Sequence, residues 1–268
     1  MEERNMIVIS HAECTDGLSA SWSFHKKYPN AKYYYAIYGN TPPNVDSKDV
    51  VILDFSYSKE VLLEMKKKAK SITLLDHHET AMNAVGDLDF CHFDLKKSGA
   101  GLAWDFVFPK VRHWLINYVE DRDLWKFELP NSREVNATIQ SYPLTFDSLY
   151  MLEKQTPTSL AVEGAPIIRY QKQLVADIIK RAKRITFEGY ECLSANSSIL
   201  NSDIGEQLAL QSNGLGVIWF INENGDKVVS LRSTEKSQIN CAELAKKYDG
   251  GGHKRSAGFR IKNYEYKA

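Results

Sequence analysis

The sequence predicts an α/β protein: a parallel-sheet domain over residues 1–155, a helical linker over 156–188, and a smaller α/β domain over 189–268. Three observations support this. Short apolar runs alternate with helix-period stretches through the first 80 or so residues, the pattern of a parallel sheet covered by helices. A periodic segment at 167–182 carries Lys and Arg in its last turn, as a helix carboxyl end prefers. From Gly189 the texture changes to short strands separated by turn signals.

Taken in order, residues 6–10 form the first strand, and Leu18, Ala20, Trp22 and Phe24 mark a helix closing near Tyr28-Pro29. Residues 31–35 and 50–53 are strands, 61–69 a helix and 72–75 a fourth strand. Two apolar helical segments follow at 99–108 and 111–119, the second running into Glu120-Asp121-Arg122-Asp123-Leu124-Trp125. Residues 144–153 also have helical texture. In the last domain, strands at 190–195, 216–221 and 227–232 surround Asn222-Glu223-Asn224-Gly225-Asp226, a hairpin signal by its Asn-Gly. A helix at 239–248 runs into Gly250-Gly251-Gly252, which alone is a helix carboxyl cap, and 257–261 is the last strand.

The chain of 268 residues balances 34 Lys and Arg against 34 Asp and Glu, so no net field favours tight non-specific binding to long nucleic acids. An anionic substrate must be held locally. Cys14, Cys91, Cys192 and Cys241 lack the paired spacing of a disulfide framework or zinc knuckle, which fits a reducing compartment. The apolar run near the amino terminus is too short for a signal-peptide core, and none approaches membrane-spanning length. The protein is therefore expected to be soluble and cytoplasmic, without a membrane partner. A homodimer is compatible with the sequence.

The most informative stretch is Asp76-His77-His78, at the end of the apolar run Ser71-Ile72-Thr73-Leu74-Leu75. Two other strands end alike: residues 6–10 lead to His11 and Asp16, and 50–53 to Asp54. Open parallel sheets bind ligands at this carboxyl edge. One His or Asp after a strand is by default a cap or turn residue. Three such sets converging would leave like charges close together unless a cation neutralises them. A metal site is the economical reading. Its oxygen and imidazole donors suit manganese, iron, cobalt or zinc better than calcium, with magnesium left open.

The triplet, the segment from His11 to Asp16-Gly17, Asp54, and the run Gly250-Gly251-Gly252-His253-Lys254-Arg255-Ser256-Ala257-Gly258-Phe259 together resemble the DHH phosphoesterase superfamily and its DHH-associated carboxyl-terminal domain. The resemblance covers nearly the whole chain. That superfamily includes nano-RNases, RecJ-type exonucleases, cyclic-dinucleotide phosphodiesterases, exopolyphosphatases and manganese pyrophosphatases. The resemblance implies two divalent cations, manganese foremost, with His11 on one, Asp16 and His77 on the other, and Asp54 bridging both. The family's acidic residue after a helix falls on Asp121 or Asp123, and Asp121 is favoured. Asp76 would orient a ligand imidazole, and His78 would face the substrate phosphate as donor or proton carrier.

Ser98-Gly99-Ala100-Gly101 resembles the family's small-residue segment, where Ser98 and backbone donors approach phosphate; a plain helix cap is an equal reading. In the last domain the resemblance points to Arg232, Ser233, Gly251, Gly252, His253 and Arg255 as a cradle for a nucleotide phosphate or base. Tyr33-Tyr34-Tyr35 and Trp125 read as core aromatics before stacking surfaces. One residue departs from the pattern: Cys14 stands where the family places an Asp two residues before Asp16. It is either a thiolate ligand or a packing residue that leaves more water on the first cation.

These features imply a two-metal phosphodiesterase that releases mononucleotides from short oligonucleotides gripped between the two domains. Alternatives are a hydrolase of cyclic dinucleotides, other signalling nucleotides or short polyphosphate. A non-enzymatic alternative is a nucleotide-binding sensor whose metal pair is incomplete at Cys14.

Overall fold

The computed structural model describes residues 5–262 and 264 and divides into two units, Met1–Ile168 and Arg169–Ala268. The boundary falls inside a long helix. The first unit runs β1 (Met6–His11), α1 (Thr15–Lys27), β2 (Lys32–Ala36), β3 (Asp49–Leu53), α2 (Lys59–Lys68), β4 (Ser71–Asp76), α3 (Glu79–Val85) and β5 (Cys91–Phe93). Helices α4 (Gly99–Val107), α5 (Trp114–Asp123), α6 (Ser132–Ser141), α7 (Phe146–Leu152) and α8 (Pro157–Ile179) follow.

Its five strands are all parallel, in the order β2-β1-β3-β4-β5. All their carboxyl ends therefore reach one edge. The central strands are apolar throughout because both faces are covered. Ile7, Ile9, Val50, Ile52 and Leu74 pack with Leu62 and Met65 of α2 on one face. Met6, Val8, Val51 and Leu53 pack with Phe24 of α1 and Ala103 of α4 on the other. A further core, including Trp22, Trp104, Leu115, Val135 and Leu149, ties α1 to the later helices.

The second unit runs β6 (Lys183–Phe187), β7 (Tyr190–Asn196), α9 (Asn201–Leu210), β8 (Leu215–Ile221), β9 (Lys227–Ser233), α10 (Cys241–Lys246), β10 (Gly251–His253) and β11 (Ser256–Ile261). Its sheet order is β10-β11-β9-β8-β7-β6, antiparallel except at the β7/β8 pair. Cys241 and Leu244 of α10 pack on Val217, Val229 and Leu231. Ile204 and Leu208 of α9 pack with Ile218 and with Val175 of α8. Neighbouring Val217 and Ile218 point to opposite faces, as strand alternation requires.

The structure corrects several sequence-based expectations. Helix α8 begins at Pro157, ten residues before 167, with proline at a first-turn position that lacks a helical N–H partner anyway. Helix α10 is shorter than 239–248, and the glycine run is not its cap. Gly251 and Gly252 instead pair with Gly258 and Ala257 across β11. Short β5, polar α6 and exposed β6 carried too little apolar periodicity to be read from the sequence. No helix among the described residues is long and apolar enough to cross a membrane.

Candidate metal centre

Parallel pairing brings the ends of β1, β3 and β4 together, and two close approaches complete the site. Gly17, in the first turn of α1, lies against the end of β1: a Cβ there would sit 2.3 Å from the His11 carbonyl oxygen. Gly99, opening α4, lies against Asp54, where a Cβ would sit 2.3 Å from the Asp54 Cβ. Asp54 itself takes a left-handed backbone conformation with φ 53°, unusual for a non-glycine residue and typical of functional turns.

Asp54 is 2% exposed and presents its two oxygens to different donor sets. Oδ1 lies 3.1 Å from His77 Nε2, which is also 3.6 Å from Oδ2 of both Asp16 and Asp123. Oδ2 accepts from the Cys14 thiol at 3.4 Å and lies 3.9 Å from His11 Nδ1, itself 3.4 Å from the Cys14 sulfur. Asp16, His77 and Asp123 form one candidate ligand group and His11, Cys14 and Asp54 another. The amino terminus of α4 holds Asp16: Gly99 N donates to Oδ2 at 2.7 Å and Ala100 N to Oδ1 at 3.0 Å.

The electrostatics fit a cation. Burial, together with Asp123 and Asp54, pushes the Asp16 carboxyl well above the usual range. Asp123 stays partly open to solvent, but desolvation around its carboxyl still raises it, with His77 opposing and Asp54 adding to it. Burial pushes Asp54 up too, but the His77 hydrogen bond and the charges of His77, His78 and His11 hold it at about 2. Burial disfavours the charged form of His77, but Asp54, Asp123 and Asp16 raise it well above 6.5. Burial and the Asp54 and Asp16 charges raise the Cys14 thiol, so it needs a cation to become thiolate. Carboxylates, imidazoles and one thiol suit manganese, iron, cobalt or zinc.

Several expected roles change. Asp123, not Asp121, faces the centre. The Asp121 carboxylate accepts from Glu128 N at 2.9 Å and Leu129 N at 3.3 Å, closing the loop after α5. Asp76 Oδ1 lies 2.7 Å from His78 Nδ1 and accepts from the His77 and His78 amides, so it orients the phosphate-facing candidate rather than the ligand His77. Ser98 is fully buried, and its hydroxyl caps α4 by accepting from Gly101 N at 3.1 Å. The Gly99 and Ala100 amides are spent on Asp16, so this segment positions a candidate metal ligand.

In the second unit, register places Arg232 opposite Ser256, and Ser256 opposite His253, across β9, β11 and β10. Arg232 donates to the Leu231 carbonyl and to Ser202 Oγ, both at 2.9 Å, and Ser233 N donates to the Arg255 carbonyl. Gly252 has φ 136°, and a Cβ there would sit 2.5 Å from the Ser256 carbonyl oxygen. The Arg255 guanidinium pairs with Glu235 at 3.1 Å. Tyr33 packs with His25 and Phe146, as a core aromatic should, whereas Tyr34 and Tyr35 are exposed. Trp125 lies beside Phe127, its ring centroid 4.9 Å away. The sequence reading missed Tyr38, whose ring is 5.7 Å from that of His11 and rests on Phe55. Its place just beyond the carboxyl end of β2 was the available signal.

Residues 194–268 match the DHHA1 domain family. The carboxyl-terminal unit carries a DHHA1 domain. The carboxyl-terminal part of the sequence resemblance is thereby borne out. An uncharacterised protein of Acanthamoeba polyphaga mimivirus is 25% identical over 280 residues, covering 94% of this chain. The chain spans 66% of that relative's length. Among solved structures, an uncharacterised protein from Helicobacter pylori aligns at 14% identity and TM-score 0.41, covering 98% of this chain and 95% of that one. The pGpG-specific phosphodiesterase PggH from Vibrio cholerae aligns at 15% and 0.49, covering 96% and 93%. The first unit supplies the metal-facing groups, and the DHHA1 domain is a separate sheet with its own core.

Proposed function

We propose that the chain is a metal-dependent phosphodiesterase that cuts short oligonucleotides by a two-metal mechanism. One observation carries this reading: the two oxygens of Asp54 serve separate donor groups, as a carboxylate bridging two cations must. When bound, two divalent cations would acidify water and neutralise charge on a phosphoryl group. Asp16, Asp123 and His77 would hold one, His11 and Cys14 the other, with Asp54 shared. His78, whose pKa burial lowers but Asp76 and Asp54 raise on balance, would donate to phosphate or pass a proton to the leaving oxygen. Asp76 fixes its ring for that contact. The DHHA1 match supports the phosphoesterase class, and Arg232 and His253 are the groups in that domain proposed to bind substrate.

The test is metal analysis of the purified protein, followed by a panel of oligonucleotides of two to five units, long single strands, cyclic dinucleotides and tripolyphosphate, read by product mass. Two bound cations and fastest release of mononucleotides from the short chains are expected. Ligand binding without turnover of any substrate would instead make the chain a nucleotide sensor.

A further inference from the structure

Beside Cys14, Asp16 and Asp123, the first unit contains a cleft of 340 Å³. Its walls are the amino terminus of α1, the end of α5 and one face of α6. Small-molecule sites enclose about 300–1,000 Å³, so this one admits a single compact group.

The lining shows what kind of group fits. Arg122 and Glu13 offset one another on the wall, while Asp16 and Asp123 belong to the cation site. A second phosphate would meet one guanidinium and one carboxylate, which gives no net attraction for an additional anion. A neutral group is favoured. Asn136 is 1% exposed, and its Nδ2 donates to the Tyr118 and Ser132 carbonyls, both at 2.9 Å. Its amide oxygen accepts no hydrogen bond among the described residues, although Asn136 lines the cleft. The oxygen is not sealed from solvent, so a donor entering the cleft can reach it. Gln140 stands one turn further along the same face of α6, and Val119 and Leu144 add apolar surface. The complementary ligand is compact and uncharged, with apolar surface and an N–H edge.

We propose that this cleft holds the nucleobase of the nucleotide attached to the scissile phosphate, with Asn136 Oδ1 accepting from the base and Arg122 and Gln140 meeting its carbonyl or ring-nitrogen acceptors. The inference rests on the phosphodiesterase reading and deepens it: the site selects nucleotides over polyphosphate by the group beside the phosphate, not by added positive charge.

Replacing Asn136 would also break its bonds to Tyr118 and Ser132, so the test uses rim residues. The manganese-loaded full chain is titrated calorimetrically with 5′-AMP, 5′-GMP, ribose 5-phosphate and inorganic phosphate. At least one mononucleotide should bind about tenfold tighter than ribose 5-phosphate, the size of one well-made hydrogen bond plus packing. Leu144→Trp, which fills the cleft, and Gln140→Ala should each reduce that ratio severalfold, with thermal melts confirming that both variants fold. Equal affinity for ribose 5-phosphate and both mononucleotides would overturn the proposal. So would a nucleotide preference that survives Leu144→Trp. If no phosphoester is hydrolysed but the preference exists and Leu144→Trp removes it, the base site stands and only the enzymatic reading falls.

Discussion

The two units handle polar groups in opposite ways. In the first, Asp16, Asp54, Asp76 and His77 are buried around one centre, and desolvation pushes two of the facing carboxyls, Asp16 and Asp123, upward. In the DHHA1 domain, Arg232 and Ser233 are only half-buried, and Arg232 is held by a hydroxyl and a backbone carbonyl. The first unit crowds carboxylates that raise one another, whereas Arg232 of the DHHA1 domain meets a neutral hydroxyl and a carbonyl. Cation dependence should therefore belong to the first unit, and the DHHA1 domain should add substrate affinity without changing cation binding.

The sharpest way to break this comparison is Asp54→Asn, which removes the shared carboxylate. Turnover should fall by about two or more orders of magnitude, with one cation lost from the purified protein and the melting profile otherwise retained. Full metal content with near-normal turnover would show that Asp54 does not bridge. Next, Arg232→Ala in the DHHA1 domain should weaken oligonucleotide binding by about 1.5–3 kcal/mol while leaving cation stoichiometry at the parent value. An equal loss on bis-p-nitrophenyl phosphate would argue against a substrate contact.

Gly99→Ala tests the packing that holds Asp54 in place. With a Cβ 2.3 Å from that of Asp54, something must shift, at a cost of about 1–3 kcal/mol. The unfolding transition of the first unit should move down while hydrogen exchange in β8 and β9 is unchanged; unaltered stability would mean that α4 moves aside freely.

The pH dependence of cation binding should follow His77. Against the effect of burial, Asp54, Asp123 and Asp16 hold its pKa well above 6.5, which favours the protonated form before a cation arrives. Binding at Nε2 must displace that proton, so affinity should rise as pH climbs above 6.5, and calorimetry in buffers of different ionisation enthalpy should register proton release. Binding independent of pH would remove His77 from the ligand set. The smallest expected effect on rate is that of Cys14→Asp, which replaces a soft donor with a hard one and should shift the activating metal toward manganese. Unchanged metal preference in that variant would leave Cys14 as the cap of α1, where its sulfur accepts from Gly17 N at 3.2 Å.

The sequence by itself determined the parallel sheet and its reactive edge. Apolar runs buried on both faces cannot be solvent-facing, and each ended in groups that chemistry rarely buries together. His11, Asp16, Asp54 and His77 were legible for that reason, whereas the glycine run, which by itself reads as a helix cap, became strand β10. Only the tertiary structure separated Asp123 from Asp121. Both occupy the same acidic stretch at the end of α5, and the distinction depends on which carboxylate the following loop uses to satisfy its own amides. The same accounting moved Ser98 from substrate to helix cap and Asp76 from His77 to His78. Local patterns reveal which polar groups a segment carries. Which partner satisfies each of them depends on residues distant in sequence, and those are brought into reach only when the helices pack on the sheet.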